Sequence, residues 1–207
     1  MDHAPPAVAR QCLADLHSIN VHWGGDSTWR KAIDAAIPGG QGLSLLDVGA
    51  GPGDAARILA TMRPLATVVS LDYRLAHLRG GRGTLVTGDA FCLPFREKSF
   101  DYVVCSLFLH HFESAQIVEL LASFGRIARK QVLVIDLWRN PIPFWFMHAA
   151  RVLSSWHPIA ISDGAISVQA ALSKKELIQL AHKAGLREIQ AKTFLPAFRI
   201  AMWAPAL

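Results

Sequence analysis

The stretch Leu45-Leu46-Asp47-Val48-Gly49-Ala50-Gly51-Pro52-Gly53-Asp54 leaves this chain few folds to choose from. Its first half is an apolar run with one acid, the pattern of a strand buried on both faces of a parallel sheet. Three glycines at alternate positions follow, and a helical pattern over residues 54–62 comes directly after them. Further apolar strand patterns stand at 67–71, 84–87, 100–107 and 131–137. Residues 113–127 place Ile117, Leu120, Leu121, Phe124 and Ile127 on one helical face. Strands alternating with helices specify an α/β, doubly wound domain with a mostly parallel sheet.

Helical spacing of Val8, Cys12, Leu13, Leu16 and Ile19 predicts a helix near the N-terminus. Residues 22–27 break it, and a second helix is expected over 28–37, ended by Pro38-Gly39-Gly40. At the other end, Ser173-Lys174-Lys175-Glu176 is a capping box opening a helix, with Gly185 at its C′ place. Strands over 186–194 and 198–204 close the chain. The 207 residues then read as one domain: a helical cap at 1–40, a ligand-binding half at 41–137, an insertion at 138–172, and a C-terminal helix and strands at 173–207.

The net charge is +5, but the Lys and Arg residues form no dense block, which argues against nucleic acid as the partner. No apolar stretch reaches the roughly 18 residues of a membrane span. Met1–Arg10 carries Asp2, His3, Pro5 and Pro6 instead of a basic start and an apolar run, so no signal peptide is expected. Cys12, Cys92 and Cys105 share no CxxC spacing, which predicts reduced thiols in a cytoplasmic protein. No Cys/His pair has zinc-ligand spacing, so no metal is expected.

The glycine turn offers unpaired helix N–H groups and room for a ligand to approach the backbone. A dinucleotide site would read GxGxxG/A, with a small residue where this chain has Asp54, whose charge repels phosphates. Asp72 ends the next strand, 21 positions after Gly51, where a carboxylate can accept ribose hydroxyls. Tyr73 beside it suits either an adenine face or plain packing. Gly88-Asp89-Ala90-Phe91-Cys92-Leu93-Pro94-Phe95 follows the third strand. Asp89 there is either an acceptor for an exocyclic amine or an Asx-turn residue. Phe100-Asp101-Tyr102-Val103-Val104-Cys105-Ser106-Leu107-Phe108-Leu109-His110-His111-Phe112 ends in two histidines. Either one is a candidate general base or a helix-entry residue bonded to backbone.

In this order and spacing, these motifs resemble the class I S-adenosylmethionine-dependent methyltransferases. The ubiquinone/menaquinone-biosynthesis type of small-molecule enzyme is similar over roughly residues 43–137. The resemblance implies a seven-stranded sheet of order 3-2-1-4-5-7-6. It also implies that Gly49, Ala50, Gly51 and Gly53 hold the amino-acid end of S-adenosylmethionine, with Asp47 on its ammonium. Asp72 would then take the ribose, Tyr73 the adenine face, and Asp89 with Ala90 the adenine edge. Ser106 would border the methionine part, and His110 and His111 would stand beside the methyl-transfer position.

The expected reaction is C- or O-methylation of a small, partly apolar acceptor such as a phenol, quinol or polyketide-like compound. Residues 138–158, rich in Trp, Phe, Ile and Pro, are expected to roof the acceptor. A peripheral membrane contact, a dimer contact and a core helix are the competing readings. Asp163–Val168 is expected as an ordered loop at the pocket mouth. The alternatives on the same fold are a nucleic-acid or protein methyltransferase, or a non-catalytic binding module. Ser106-Leu107-Phe108-Leu109 stands where amino-methylating nucleic-acid enzymes resemble one another in an (Asp/Asn)-Pro-Pro-aromatic motif.

Overall fold

The computed structural model describes residues 24–39, 42–78, 81, 83–146 and 158–207. The predicted helix at 7–19, Cys12 and residues 147–157 of the expected roof lie outside them. Helix α1 is Gly25–Ala36, β1 Ser44–Val48, α2 Asp54–Met62, β2 Thr67–Asp72, the short α3 Leu75–Leu78, and β3 Thr84–Thr87. Then come β4 Phe100–Ser106, a 3-10 turn at Leu109–His111, α4 Ser114–Ile127, and β5 Ala128–Leu137. Residues 141–146 are helical. Helix α5 Pro158–Ala170, α6 Lys174–Lys183, β6 Gln190–Phe194 and β7 Arg199–Pro205 complete the chain.

The seven strands form one sheet in the order β3-β2-β1-β4-β5-β7-β6. Strands β1 to β5 pair in parallel, while β7 runs antiparallel to both β5 and β6. The inner strands β1, β4, β5 and β7 are apolar on both sides because both faces are covered there. On β5, Val132 and Val134 join the core under α4 and α6, while Leu133 and Ile135 join the core under α1 and α2. Burying a large aliphatic side chain contributes about 1.5–3 kcal/mol, so this period-two alternation fixes the strand register. The start of β1 is pinned to β4, since the Ser44 N–H donates to Asp101 Oδ2 at 2.9 Å. That bond outweighs partial burial and holds the Asp101 carboxyl below its usual range.

The Ser173 capping box forms as the sequence predicts: its side chain accepts from the Glu176 N–H at 3.3 Å. Gly185, at φ 94°, closes α6. Its N–H reaches the His182 carbonyl at 3.0 Å, and the Leu186 N–H reaches the Ala181 carbonyl at 3.1 Å. This hooked end buries Leu186 and delays the strand expected at 186 until Gln190.

One expectation is overturned. Asp163–Val168 is not a loop but part of helix α5. Asp163-Gly164 reads locally as a breaker, yet Ile161 and Val168, seven positions apart, share one buried helical face at 5% and 7% exposure. Helix α5 packs against the 3-10 turn Leu109–His111.

Candidate functional site

The C-terminal ends of β1, β2 and β4 stand level, with Val48 opposite both Leu71 and Cys105. From β1 the chain crosses to α2 on one face; from β4 it crosses to α4 on the other. The two connections diverge and leave a crevice between them, the usual ligand position in doubly wound sheets. A cavity of about 500 Å³ lies there.

Its floor is the glycine turn. The Gly49 and Ala50 N–H groups donate to the Leu71 carbonyl at 2.9 and 3.0 Å, which holds the turn against β2. Gly49 has φ 70°, and a Cβ built on it would lie 2.3 Å from the Phe108 ring. Only glycine lets that ring close onto the backbone. Gly51, at φ 52°, would carry a Cβ into open space, with nothing within 4 Å. Gly53, at φ 83°, is the N-cap of α2 and does not line the cavity.

Acids surround the turn. Asp47 is 2% exposed. Its pKa is pushed up to about 7, first by burial and then by the charges of Asp54 and Asp72. Asp72 is 7% exposed and ties the turn together. Its Oδ2 accepts the Gly51 N–H at 3.0 Å; its Oδ1 accepts the Arg74 N–H at 3.0 Å and lies 3.0 Å from His77 Nδ1. Asp89 makes an Asx turn, accepting the Phe91 N–H at 2.9 Å on Oδ1. Tyr73 is 73% exposed and lines the cavity, so its ring is not core packing.

The two histidines diverge. His111 lines the cavity; His110 does not. His110 is buried, with Nδ1 2.6 Å from Asp136 Oδ1, and its ring centroid is 4.2 Å from that of His111. Asp136 Oδ2 also accepts the Leu109 and His110 N–H groups at 2.8 and 3.3 Å. Burial alone would raise the Asp136 pKa, but His110 and the backbone donors overcome it and hold the carboxyl below its usual range. Asp136 therefore accepts, and His110 Nδ1 carries a proton.

Of the sequence-predicted site residues, Asp47, Gly49, Ala50, Gly51, Asp72, Tyr73, Asp89, Ala90, Ser106 and His111 line this one cavity, and Gly53 and His110 lie beside it. Sequence reasoning missed Trp29, His77, Phe108, Phe112 and Asp136. The phenylalanines make one apolar wall: Phe91 and Phe108 each meet Phe112 edge-on, with centroids 5.5 and 4.8 Å apart. Their signal was present in the spacing Phe108-x3-Phe112, which a helical turn brings together. Residues 138–146 do not line the cavity.

Comparisons with known proteins bear on what this cavity holds. The family described as "Methyltransferase domain" matches residues 46–143. A demethylmenaquinone methyltransferase of Corynebacterium kroppenstedtii is 27% identical, over 91% of this chain and 90% of that protein. One of Streptomyces avermitilis is 28% identical, over 84% of this chain and 81% of that protein. Among solved structures, a phosphoethanolamine N-methyltransferase of Haemonchus contortus in complex with S-adenosyl-L-methionine superposes with a TM-score of 0.66. It is 15% identical and is matched over 87% of this chain and 52% of that one, a likeness of fold.

Proposed function

We propose that the chain is a class I S-adenosylmethionine-dependent methyltransferase of the ubiquinone/menaquinone-biosynthesis type and that it methylates a quinol-like ring carbon. One observation carries the reading. The cavity that contains the glycine turn also contains His111, among Phe91, Phe108 and Phe112. Donor and acceptor would thus share one apolar-walled space, and two relatives similar over most of their length are demethylmenaquinone methyltransferases.

The residues present suit the cofactor by their own chemistry. Gly51 faces open space that a Cβ would fill. Asp47, whose pKa is pushed up to about 7, would be held charged by an ammonium beside it. Asp72 would accept the ribose hydroxyls, and the second carboxylate oxygen of Asp89 the adenine amine. Gly49, Ala50 and Gly53 would shape the turn under the amino-acid end, Ala90 and Tyr73 would flank the adenine, and Ser106 would border the methionine part. When bound, S-adenosylmethionine supplies an electrophilic methyl group on a sulfonium.

His111 would take the hydroxyl proton of the acceptor, raising electron density at the neighbouring ring carbon that bonds the methyl group. The proton displaced from that carbon then leaves to solvent. The phenylalanine wall would exclude water and hold the ring in line; positioning of this kind contributes up to about 7–11 kcal/mol.

The reading includes one domain over residues 1–207, supported by the continuous sheet from β1 to β7. It includes a roof over the acceptor to which α5 contributes, since α5 packs on the turn carrying His111; of the expected 138–158 segment, residues 138–146 do not line the cavity and 147–157 lie outside the described residues. It also includes a cytoplasmic site of action, supported by the free thiols of Cys92 and Cys105. Among the described residues, no helix is long and apolar enough to cross a membrane.

The test is incubation of the purified chain with S-adenosylmethionine and short-chain demethylmenaquinol analogues, followed by mass spectrometry and NMR location of the new methyl group. His111→Gln should lower turnover by about 10²–10⁴-fold with S-adenosylhomocysteine affinity kept. Methylation on oxygen would defeat the carbon assignment, and full turnover in the variant would remove the base.

A further inference from the structure

His77 stands where the cofactor's ribose needs a hydrogen-bond acceptor. A carboxylate offers about four lone-pair positions, two on each oxygen. On Asp72, Oδ2 spends one on the Gly51 N–H, while Oδ1 spends both, on the Arg74 N–H and on His77 Nδ1. Among the described residues' bonds, one position is left for two ribose hydroxyls. The Gly51 and Arg74 donors are backbone groups that cannot withdraw without unmaking the turn. His77 is the donor that can move. Its side chain is 41% exposed, it sits at the cavity wall on the four-residue α3, and the side chain of its partner Asp72 is 10% exposed.

We propose that His77 is a latch on Asp72, occupying the acceptor position in the empty site and displaced by a ribose hydroxyl when S-adenosylmethionine binds. The proposal rests on the reading that Asp72 takes the ribose. The exchange is one donor for another on the same oxygen, and no bond is made or broken covalently. Leaving Oδ1 costs His77 little, because an exposed imidazole finds water at once, whereas a ribose hydroxyl in the cavity has no comparable substitute. The latch thus keeps the carboxylate satisfied and aimed while the site is empty, at the expense of some cofactor affinity.

A latch and a simple wall residue predict opposite signs. If His77 competes, His77→Ala removes the competitor and should tighten S-adenosylhomocysteine binding. A half-exposed side-chain hydrogen bond, at the low end of the usual contribution, corresponds to about a two- to fivefold lower Kd. If His77 only lines the wall, the same variant loses contact and binds more weakly. Isothermal titration calorimetry of the full chain reads the sign directly, and His77→Leu, which keeps bulk but no donor, should also bind at least as tightly as wild type. In parallel, the ring 15N resonances of His77 should move on saturation with S-adenosylhomocysteine as Nδ1 leaves the carboxylate. Weaker or unchanged binding in His77→Ala, or a His77 ring signal that does not move at saturation, overturns the latch. If wild type binds but neither it nor Asp72→Ala differs from the other in affinity, the ribose assignment falls and the latch with it. Weakened binding in Asp72→Ala together with weakened binding in His77→Ala defeats the latch alone.

Discussion

Two buried carboxylates near the cavity carry opposite electrostatic signatures, and each can be read by titrating stability. Asp136 has a pKa below its ordinary value of 3.8, because His110 and backbone donors outweigh its burial. Its contribution is present above the ordinary value and is lost as pH falls through the lower, folded value. Asp136→Asn should cost about 1.5–3 kcal/mol at neutral pH, as expected for losing hydrogen bonds to a buried charged acceptor. It should also flatten the loss of stability of wild type on acidification past 3.8; thermal denaturation across that range measures both, and an unaltered acid limb would count against the pair. Asp47 behaves in reverse. Its folded pKa of about 7 lies above its ordinary 3.8, so its contribution is complete below 3.8 and declines as pH rises toward 7. Each pH unit in that window costs about 1.4 kcal/mol. Asp47→Asn should therefore melt higher than wild type above pH 7, show no gain below 3.8, and bind S-adenosylhomocysteine more weakly. Asp47 and Asp89 were legible in the sequence because glycines stand near them, and Asp72 because it ends the second strand pattern, 21 positions after Gly51. Asp136 was not, since its partner His110 is 26 positions away. Nor could the sequence separate His110 from His111. A 3-10 turn rotates about 120° per residue, so one neighbour faces the core while the next faces the cavity.

At the scale of elements, the β1–turn–α2 unit was legible because glycine spacing, an apolar strand and a helical period all agreed. The structure adds that its glycines do different jobs. Gly49→Ala would drive a methyl group into Phe108 at 2.3 Å, and should lower the melting temperature through a displaced phenylalanine wall. Gly51→Val meets no protein atom, so its fold should survive apart from the strain of a β-branched residue at φ 52°. Its S-adenosylhomocysteine binding should be lost, because the side chain fills the ligand's space. Calorimetry and a melting curve on the same sample separate the two effects; retained affinity in Gly51→Val would sink the placement of the cofactor on this turn. Helix α5 was illegible for a local reason. Asp163-Gly164 carries strong turn chemistry, and only tertiary burial of Ile161 and Val168 overrides it. The start of β6 was read early, at 186 instead of 190, because an apolar Leu186 looks the same in a strand as in the hook that closes α6.

At the scale of the whole molecule, the sheet order sets what ligand binding should do to the protein. The cavity is assembled from connections on both faces of the sheet: Gly49–Asp54 leading to α2, Asp72–His77 and Gly88–Phe91 beyond β2 and β3, and Ser106–Phe112 leading to α4. A ligand held there bridges segments far apart in sequence, so its binding free energy becomes stability of the domain. At a concentration one hundred times its Kd, S-adenosylhomocysteine should stabilise the fold by about 2.7 kcal/mol. For a chain of this length that corresponds to a rise of about 5–10 °C in melting temperature. Asp72→Ala, expected to weaken binding by about 10- to 150-fold, should keep only about 0.3–1.4 kcal/mol of that gain at the same ligand concentration. Amide hydrogen exchange locates the effect. Protection should grow in the glycine turn, around Tyr73–His77 and across the 3-10 turn, while β6 and the outer end of β7 stay as they were. A second groove lies beside α4 and α6, lined by Arg139, Glu176 and Lys183, where Arg139 grips Glu176 and holds its pKa down to about 2. Protection appearing in that groove and not at the glycine turn would move the cofactor to the wrong side of α4 and overturn the site.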